Sequence, residues 1–214
     1  GSSTSRAGRP AAPLSASAAS VRVAWNSTAS AITDGTQIAI ANASHTFGAL
    51  QAGQRDVVLT DAHVVVSDFF RLDGSLTLHR STQTVQLAAD TASTTSVNEA
   101  TDGLAVDLFA LGGTGLSAQV GVADGVGLSL TGVEFGLALM SAQSDSTRRW
   151  TTLKATAQGV SVNGIDGVTA SGSDLAVTLN LADQSNDAVV DYASGKTSLS
   201  VALNASRTLA FDLQ

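Results

Sequence analysis

The stretch Gly125–Leu181 decides the fold, because apolar and polar residues alternate along most of it. It opens with GVGLSLTGVEFGLALM (Gly125–Met140), and the alternation changes phase wherever Gly, Asp or Asn cluster. These changes fall at Thr131-Gly132, Gln158-Gly159, Asn163-Gly164, Asp166-Gly167 and Ser171–Asp174. Side chains of a β-strand point alternately to two faces, so the pattern predicts successive strands with one buried and one wet face. Residues that tolerate positive φ predict a hairpin turn or a bulge at each phase change.

The rest of the chain shows the same alternation of apolar and polar residues in shorter runs. Together these runs predict about fifteen short strands at roughly the 8–12-residue spacing of sandwiches, barrels and solenoids. Thr33–Thr36 and Arg71–Ser75 predict turns, and the polar segments Ala88–Thr101 and Ser141–Arg149 predict loops. Helix is disfavoured, since each glycine inside a helix costs about 1 kcal/mol relative to alanine. The predicted fold class is all-β: an elongated stack of short strands, either a β-sandwich or a β-solenoid-like arrangement.

Domain organisation follows from where this alternation starts. Residues 1–20 contain both prolines and no alternation, so they predict a flexible linker or arm. Residues 21–214 predict a single all-β repeat module, with 88–101 as its weakest point of division. The chain opens with Gly1-Ser2-Ser3 and shows no signal peptide, so we interpret it as a piece of a longer protein.

Composition argues against several functional classes. The formal net charge of −7 and a pI near 4.6 leave no basic surface for nucleic acid or for anionic membrane surfaces. The absence of cysteine removes disulfides and thiolate metal sites. Nearly all of the acidic residues are Asp, which favours turns over helices. No apolar run approaches the roughly 20 residues of a membrane helix, so membrane insertion is not expected.

Several segments resemble a repeat unit of very large bacterial surface proteins. They are VVVSDFFRLDGSLTL (Val64–Leu78), LFALGGTGLSAQVGV (Leu108–Val122), GVGLSLTGVEFGLALM (Gly125–Met140), LKATAQGVSVNGIDGVTASGSDLAVTLN (Leu153–Asn180) and VVDY (Val189–Tyr192). Proteins of this kind are giant, repetitive, adhesin-like chains that are secreted or displayed on the cell surface. The resemblance implies a non-catalytic structural or adhesive module, located outside the cell or on the bacterial surface. Its implied partners are neighbouring modules of the same protein, and no site residue is transferred.

Histidine is the first residue type to consider for catalysis. The chain has His45, His63 and His79, and the last two flank the predicted hairpin region Phe69–Leu76, so they are candidates to face each other across paired strands. A nucleophile needs a base within hydrogen-bonding reach, and no serine occupies a nucleophile-elbow pattern. The histidines also lack the spacing of a zinc site. We therefore predict that His63 and His79 are exposed on a wet strand face, and we assign no catalytic, cofactor-binding or metal residue.

Paired carboxylates are the other catalytic candidate, since polysaccharide cleavage requires two acids that face one cleft. The pairs considered are Asp61 with Asp68 and Asp102 with Asp107. Each Asp also stands where a turn favours one, so a polysaccharide-acting enzyme fragment is only the second alternative function. Glu134 lies between two apolar residues of a predicted strand and is expected to face water.

Calcium is the cofactor that the sequence favours most, although none is firmly implied. Calcium binds several carboxylate, amide and carbonyl oxygens in loops. Two groups qualify: Asn163, Asp166 and Asp174 in consecutive turns, and Asp183, Asn186 and Asp187 in one loop. The spacing of an EF-hand is absent, and ordinary Asx turns explain the same residues. A calcium-dependent carbohydrate- or protein-binding module is the first alternative function.

Glycan recognition needs an exposed aromatic platform, for which Trp25, Trp150 and Tyr192 are the large candidates. Trp150 stands where a loop enters a strand and is predicted to plug the core instead. A further hypothesis is an open β-groove with an apolar lining that carries lipid. Long alternating runs fit such a groove as well as they fit a closed core. An uncovered apolar face is the feature that separates the two.

Overall fold

The computed structural model describes residues 14–67, 69–90, 98–121, 126–165, 170–184 and 187–213, and within them the protein is all-β, as predicted. The described part contains eleven strands and one 3-10 turn at Ala193–Gly195. The strands are β1 (Leu14–Trp25), β2 (Gln37–Ile40), β3 (Ala43–Thr46), β4 (Arg55–Val66), β5 (Phe70–Val85), β6 (Leu104–Gly121), β7 (Gly127–Ala142), β8 (Arg149–Asn163), β9 (Ala170–Ala182), β10 (Ser200–Ala202) and β11 (Thr208–Ala210). Among these residues, no helix has the length and hydrophobicity needed to cross a bilayer.

Seven of the strands form one antiparallel sheet in the order β1-β4-β5-β6-β7-β8-β9. From β4 onward each strand pairs with the next one along the chain, so the sheet is a meander in which sequence neighbours are spatial neighbours. The β2–β3 hairpin lies in the connection between β1 and β4, and β10 with β11 forms a separate two-stranded ribbon. Consequently β1 and β9 are the two outer strands of the sheet.

The strands of this sheet are longer than the sequence predicts. β5, β6 and β7 contain 16, 18 and 16 residues. The predicted turn at Arg71–Ser75 is wrong, because these residues lie inside β5. The predicted arm is too long, since residues 14–20 belong to β1 and pair with β4, while residues 1–13 lie outside the described residues. The predicted turn at Thr33–Thr36 is confirmed, and a loop joins β7 to β8 where it was expected. Of the predicted loop Ala88–Thr101, residues 88–90 and 98–101 belong to no strand, and residues 91–97 lie outside the described residues.

A line of irregular residues, which we call the crease, runs across the sheet. It consists of residues with positive φ that the strand pairing places near one another: Asp61 in β4, Gly74 in β5, Gly115 in β6, Gly132 in β7 and Asp174 in β9. In β8 the register puts Gln158 at the same level. Register shifts between β4 and β5, β5 and β6, and β6 and β7 fall at this line. The crease is therefore a set of aligned bulges rather than a set of turns.

The crease explains why the apolar pattern changes phase in mid-strand. In β7, Leu130 and Val133 are three residues apart, and a regular strand would send them to opposite faces. An extra residue at a bulge returns both side chains to the same face. The packing agrees with this, because Leu72 from one side of the crease and Phe135 from the other both pack around the buried Leu116. The phase changes at Gly132 and in β8 and β9 thus keep one sheet face apolar along its full length.

The main core lies under the C-terminal segment, residues 187–213, which covers one side of the sheet at the end that contains the start of β6 and the start of β8. We call this side the closed face. Its buried residues are Val85, Leu87, Leu104, Val106, Leu108, Ala110, Ala138, Met140, Ala142, Trp150, Val190, Tyr192, Leu199, Val201 and Phe211. Aliphatic side chains make up most of this core, in keeping with an aromatic content of only 4%.

A buried ion cluster fixes the start of the C-terminal segment. The Arg148 guanidinium donates to Glu99 at 2.6 and 2.9 Å and to Asp187 at 3.0 Å, and the two carboxylates are only 3% and 4% exposed. The hydrogen bond to Glu99 and the neighbouring negative charges raise the pKa of Arg148 above its ordinary value. Trp150 lies beneath the guanidinium, and its indole N–H donates to the carbonyl of Ala188 at 2.8 Å. Removing the cation would take the Arg148 charge away from two buried carboxylates, which is strongly destabilising, so the cluster helps to hold the segment on the sheet.

Two glycines allow the β10–β11 ribbon to lie directly on the closed face. Gly112 and Gly136 are register partners in β6 and β7. A Cβ atom on Gly112 would lie 1.9 Å from the carbonyl oxygen of Ala202, and one on Gly136 would lie 3.2–3.4 Å from side chains of the C-terminal segment. The hydroxyl of Thr77 donates to the same Ala202 carbonyl. These glycines therefore serve the close approach of two backbones.

Candidate binding face

The side of the sheet opposite the C-terminal segment is apolar, and we call it the open face. Register partners share a face, so cross-strand pairs run over it in rows. The central row consists of Val23, Val57, Leu78, Leu111, Leu137, Leu153 and Leu179. Within the described residues, the strand outside the sheet that makes the main contacts with it is β10, which lies on the closed face. Large side chains of the open face, such as Phe109, Leu139 and Val177, stay about 40% exposed. Contiguous exposed apolar surface of this kind marks a binding site more often than an ordinary monomer surface.

Three arginines stand at one end of the open face. Arg55 in β4 lies directly opposite Arg80 in β5, and Arg80 in turn lies opposite Phe109 in β6. Arg149 begins β8 at the same end, opposite Ser141. The salt bridges of the described residues include none of these arginines. Like charges directly opposite one another destabilise a sheet, so the Arg55–Arg80 pair is a local and unfavourable concentration of positive charge on an acidic protein.

Two adjoining clefts open at this end, and both are lined by Arg80 and Phe109. The first has a volume of about 390 Å³, and its other lining residues include Val23, Trp25, Arg55, Val57 and Leu78. The second has a volume of about 440 Å³ and extends past Asp107, Leu139 and Ser141 to Arg149. Trp25 is 61% exposed, and the guanidinium carbon of Arg55 lies 5.0 Å from its ring centre. Clefts of roughly 300–1,000 Å³ with apolar walls and a few polar groups suit small organic ligands.

The histidines do not face each other, because the predicted turn between them does not exist. The imidazole Nδ1 of His63 is hydrogen-bonded to Asp73, and that of His79 to Asp56, each across the β4–β5 pair. Both rings are only partly exposed. A carboxylate at Nδ1 orients an imidazole as in a catalytic triad. In the described residues, however, no hydroxyl is hydrogen-bonded to either ring, so these pairs are cross-strand contacts of the sheet.

The predicted carboxylate pairs are distributed over separate contacts. Asp102 accepts a backbone N–H of its own loop at 2.9 Å, and Asp107 accepts the side-chain amide of Gln143 at 3.1 Å. Asp61 lies at the crease, and Asp68 lies outside the described residues. Asp102 and Asp107 thus each accept a hydrogen bond from a separate neutral donor.

The side chain of Glu134 is 24% exposed, so it faces water only in part. Its carboxylate accepts from Nη2 of Arg207 at 2.7 Å and from the hydroxyl of Thr114 at 3.2 Å. Arg207 lies between β10 and β11. Glu134 therefore helps to hold the β10–β11 ribbon on the closed face, a role that no local sequence pattern predicts.

The calcium candidates fall partly outside the described residues, which do not include Asp166 and Asn186. Asn163 donates to a serine hydroxyl of β7 at 2.8 Å, Asp174 lies at the crease, and Asp187 belongs to the buried ion cluster. Among the residues that the structure describes, acidic and histidine side chains nowhere gather in threes as a metal site requires. The calcium hypothesis stays a prediction.

The aromatic candidates separate clearly by burial. Trp150 is 1% exposed and plugs the core, as predicted. Tyr192 is also buried, its hydroxyl lies 2.8 Å from that of Thr152, and burial raises its pKa to about 12. Of the three candidates Trp25 is the one that remains exposed, and it lies at the arginine end of the open face.

Comparison with known protein families, curated proteins and solved structures gives no match to the chain. The open face, its arginine end and the outer strands are the features of this chain that bear on function. Sequence reasoning missed Arg55, Arg80 and Arg149, because they form no motif along the chain. Their only signal is the pairing register, which places residues from three strands at one end of one face.

Proposed function

We propose that the chain is a non-catalytic structural or adhesive module of a large extracellular or cell-surface protein, and that neighbouring modules join it through the outer strands of its sheet. The observation that supports this proposal is that both outer strands have an unpaired edge. β1 has 12 residues and β9 has 13, and each pairs on one side only within the described residues. Two long unpaired edges provide rows of backbone donors and acceptors for another strand.

Within the described residues the outer strands carry little of the usual protection against edge pairing, apart from the irregularity at Asp174 in β9. Soluble proteins block free edges with proline, lysine, inward-pointing charges, short strands or a covering element. β1 contains a single charged residue, Arg22, and β9 contains only Asp174. Apolar side chains of β9, including Leu175 and Leu181, are 45% and 52% exposed. An edge of this kind favours strand addition by a partner with a similar edge.

Edge-to-edge joining preserves the organisation of each module. The sheet grows sideways, while the C-terminal segment still covers the closed face of every unit. Repeat proteins are stabilised in this way, since each unit contacts only its neighbours and hides their edges. The resemblance of five segments to a surface-protein repeat implies the same role.

Sedimentation velocity over a range of protein concentrations tests the proposal. Two β9 strands related by a two-fold axis are antiparallel, so we expect the isolated chain to self-associate reversibly through this edge. The double variant Ala176→Lys/Thr178→Lys places charges on β9 toward the closed face, where they meet the same charges across the pair. We expect this variant to be monomeric.

Two controls separate edge pairing from other contacts. Ala39→Lys/Ala43→Lys adds the same charge to the exposed β2–β3 hairpin and should leave association unchanged. Leu139→Lys adds a charge to the open face away from both edges and should also leave it unchanged. Wild-type protein that stays monomeric at its highest attainable concentration, or a β9 variant that associates as wild type does, contradicts the proposal.

A further inference from the structure

We propose that the arginine end of the open face binds the anionic head of a single-chain amphiphile, such as a long-chain carboxylate, whose alkyl chain lies along the central leucine row. This site uses the open face and not the edges, so it is independent of how modules join. It also assigns a function to three arginines that no ion pair of the described residues uses.

The floor of the site is hydrocarbon over a length that suits an alkyl chain. Leu78, Leu111, Leu137, Leu153 and Leu179 follow one another on β5 to β9. Neighbouring strands lie about 4.8 Å apart, so this row extends for about 19 Å. Each methylene group that leaves water for this floor should lower Kd about fourfold.

The head of the site has the charge that a carboxylate requires. Arg55 and Arg80 face each other directly, which is unfavourable without an anion between or beside them. Guanidinium groups bind carboxylates through paired, charge-assisted hydrogen bonds. Asp107 lines one cleft and Asp56 the other. Asp107 accepts from Gln143, Asp56 is hydrogen-bonded to His79, and the three arginines outnumber the two acids.

The dimensions and the overall charge favour a free amphiphile over a membrane. Clefts of about 390 and 440 Å³ that share Arg80 and Phe109 accommodate the head group and the first part of the chain, and Leu78 joins the first cleft to the leucine row on which the rest of the chain lies. The whole chain carries a net charge of −7, which opposes adsorption to an anionic bilayer. A single carboxylate head avoids that long-range repulsion because it meets only the local arginines.

Tryptophan fluorescence provides a direct binding assay. The chain has two tryptophans, and Trp150 is buried in the core, so a change on binding reports on the exposed Trp25 beside Arg55. Decanoate and dodecanoate are titrated below their critical micelle concentrations, with dodecanol as the uncharged comparison. We expect dodecanoate to bind about sixteenfold more tightly than decanoate, because it buries two more methylene groups.

Substitutions distinguish the head from the floor. Arg80→Gln should weaken dodecanoate binding at least tenfold, the effect of losing a hydrogen bond to a charged group, and leave dodecanol binding unchanged. Arg71→Gln is the matched control, since Arg71 is exposed in β5 on the other face, and it should alter neither ligand. Leu137→Gln should weaken both ligands. Arg80→Gln also removes the repulsion with Arg55, so the Tm of this variant should equal or exceed that of the wild type. A Tm in that range shows that the variant folds.

Several results would overturn the inference. They are equal Kd values for decanoate and dodecanoate, wild-type affinity of Arg80→Gln for dodecanoate, and binding to anionic phospholipid vesicles without binding to monomeric dodecanoate. The β9 lysine variant should bind dodecanoate as the wild type does. Loss of edge pairing and loss of amphiphile binding are thereby observed separately.

Discussion

Replacing Gly112 with alanine should loosen the C-terminal segment from the closed face. The new Cβ would lie 1.9 Å from the carbonyl oxygen of Ala202 and 2.9 Å from the hydroxyl of Thr77. A carbon and an oxygen that are not bonded need more than 3 Å, so β10 must move outward by more than 1 Å. This displacement breaks the Thr77 hydrogen bond and disturbs Val201 and Leu203, which are 2% and 0% exposed.

The expected cost follows from three contributions. Overpacking of a well-packed interior costs about 1–3 kcal/mol. The lost hydrogen bond adds about 1 kcal/mol. Replacing glycine by alanine restricts the unfolded chain and returns about 0.4–1 kcal/mol. The net destabilisation is therefore about 2 kcal/mol, which for a protein of this length lowers Tm by about 4–8 °C.

Denaturant unfolding followed by circular dichroism, together with calorimetry, measures this effect. Gly48→Ala is the matched control, because Gly48 has no positive φ and its Cβ would contact only a side-chain oxygen of Asp34 at 3.9 Å. That variant should be as stable as the wild type or slightly more stable. A Gly112→Ala protein with wild-type stability would refute the placement of the ribbon on the sheet.

Two further predictions concern the groups that anchor the segment. Arg148→Met should lower the free energy of unfolding by about 3–5 kcal/mol, because it removes the arginine charge from the buried Glu99 and Asp187. Arg149→Met, at the exposed neighbouring position, should change the free energy of unfolding by less than about 0.5 kcal/mol. Urea titrations of both variants measure these effects. Tyr192 has a folded pKa of about 12 against an ordinary 10.0, so the unfolded tyrosine ionises first as pH rises. Its stabilising contribution is complete below about pH 10 and is lost between about pH 10 and 12, by about 3 kcal/mol in total. The difference between wild type and Tyr192→Phe over this range isolates the effect, and phenolate absorbance reports Tyr192 alone because the chain has one tyrosine.

The two-residue rhythm was sufficient to predict an all-β chain, but not to decide where its strands end. Gly132 and Asp174 look the same in sequence whether they close a hairpin or widen a strand, since both structures use residues that tolerate positive φ. The choice depends on the partner strands, because a bulge is stable only where the neighbouring strands continue past it. The repeated phase changes were in fact the signature of one crease that several strands share.

The candidate site was beyond sequence reasoning for a related reason. Arg55 and Arg80 become neighbours only through the β4–β5 register, which itself includes a bulge after Leu59. The emptiness of the open face also depends on where the C-terminal segment packs. Gly112 and Gly136 place no side chain on the closed face, so the C-terminal segment can approach the sheet there. An apolar alternation alone cannot say which of two faces will be covered.

The position of residues 187–213 in the chain has a consequence for biosynthesis. All seven strands of the sheet leave the ribosome before the segment that covers its core, and translation at about 5–20 residues per second delays that segment by seconds. During this interval the nascent sheet has apolar surface on both sides, with Leu108 and Met140 as accessible as Leu137 and Leu153. Chaperone capture and cotranslational aggregation should therefore depend strongly on how soon residues 187–213 follow the sheet out of the ribosome.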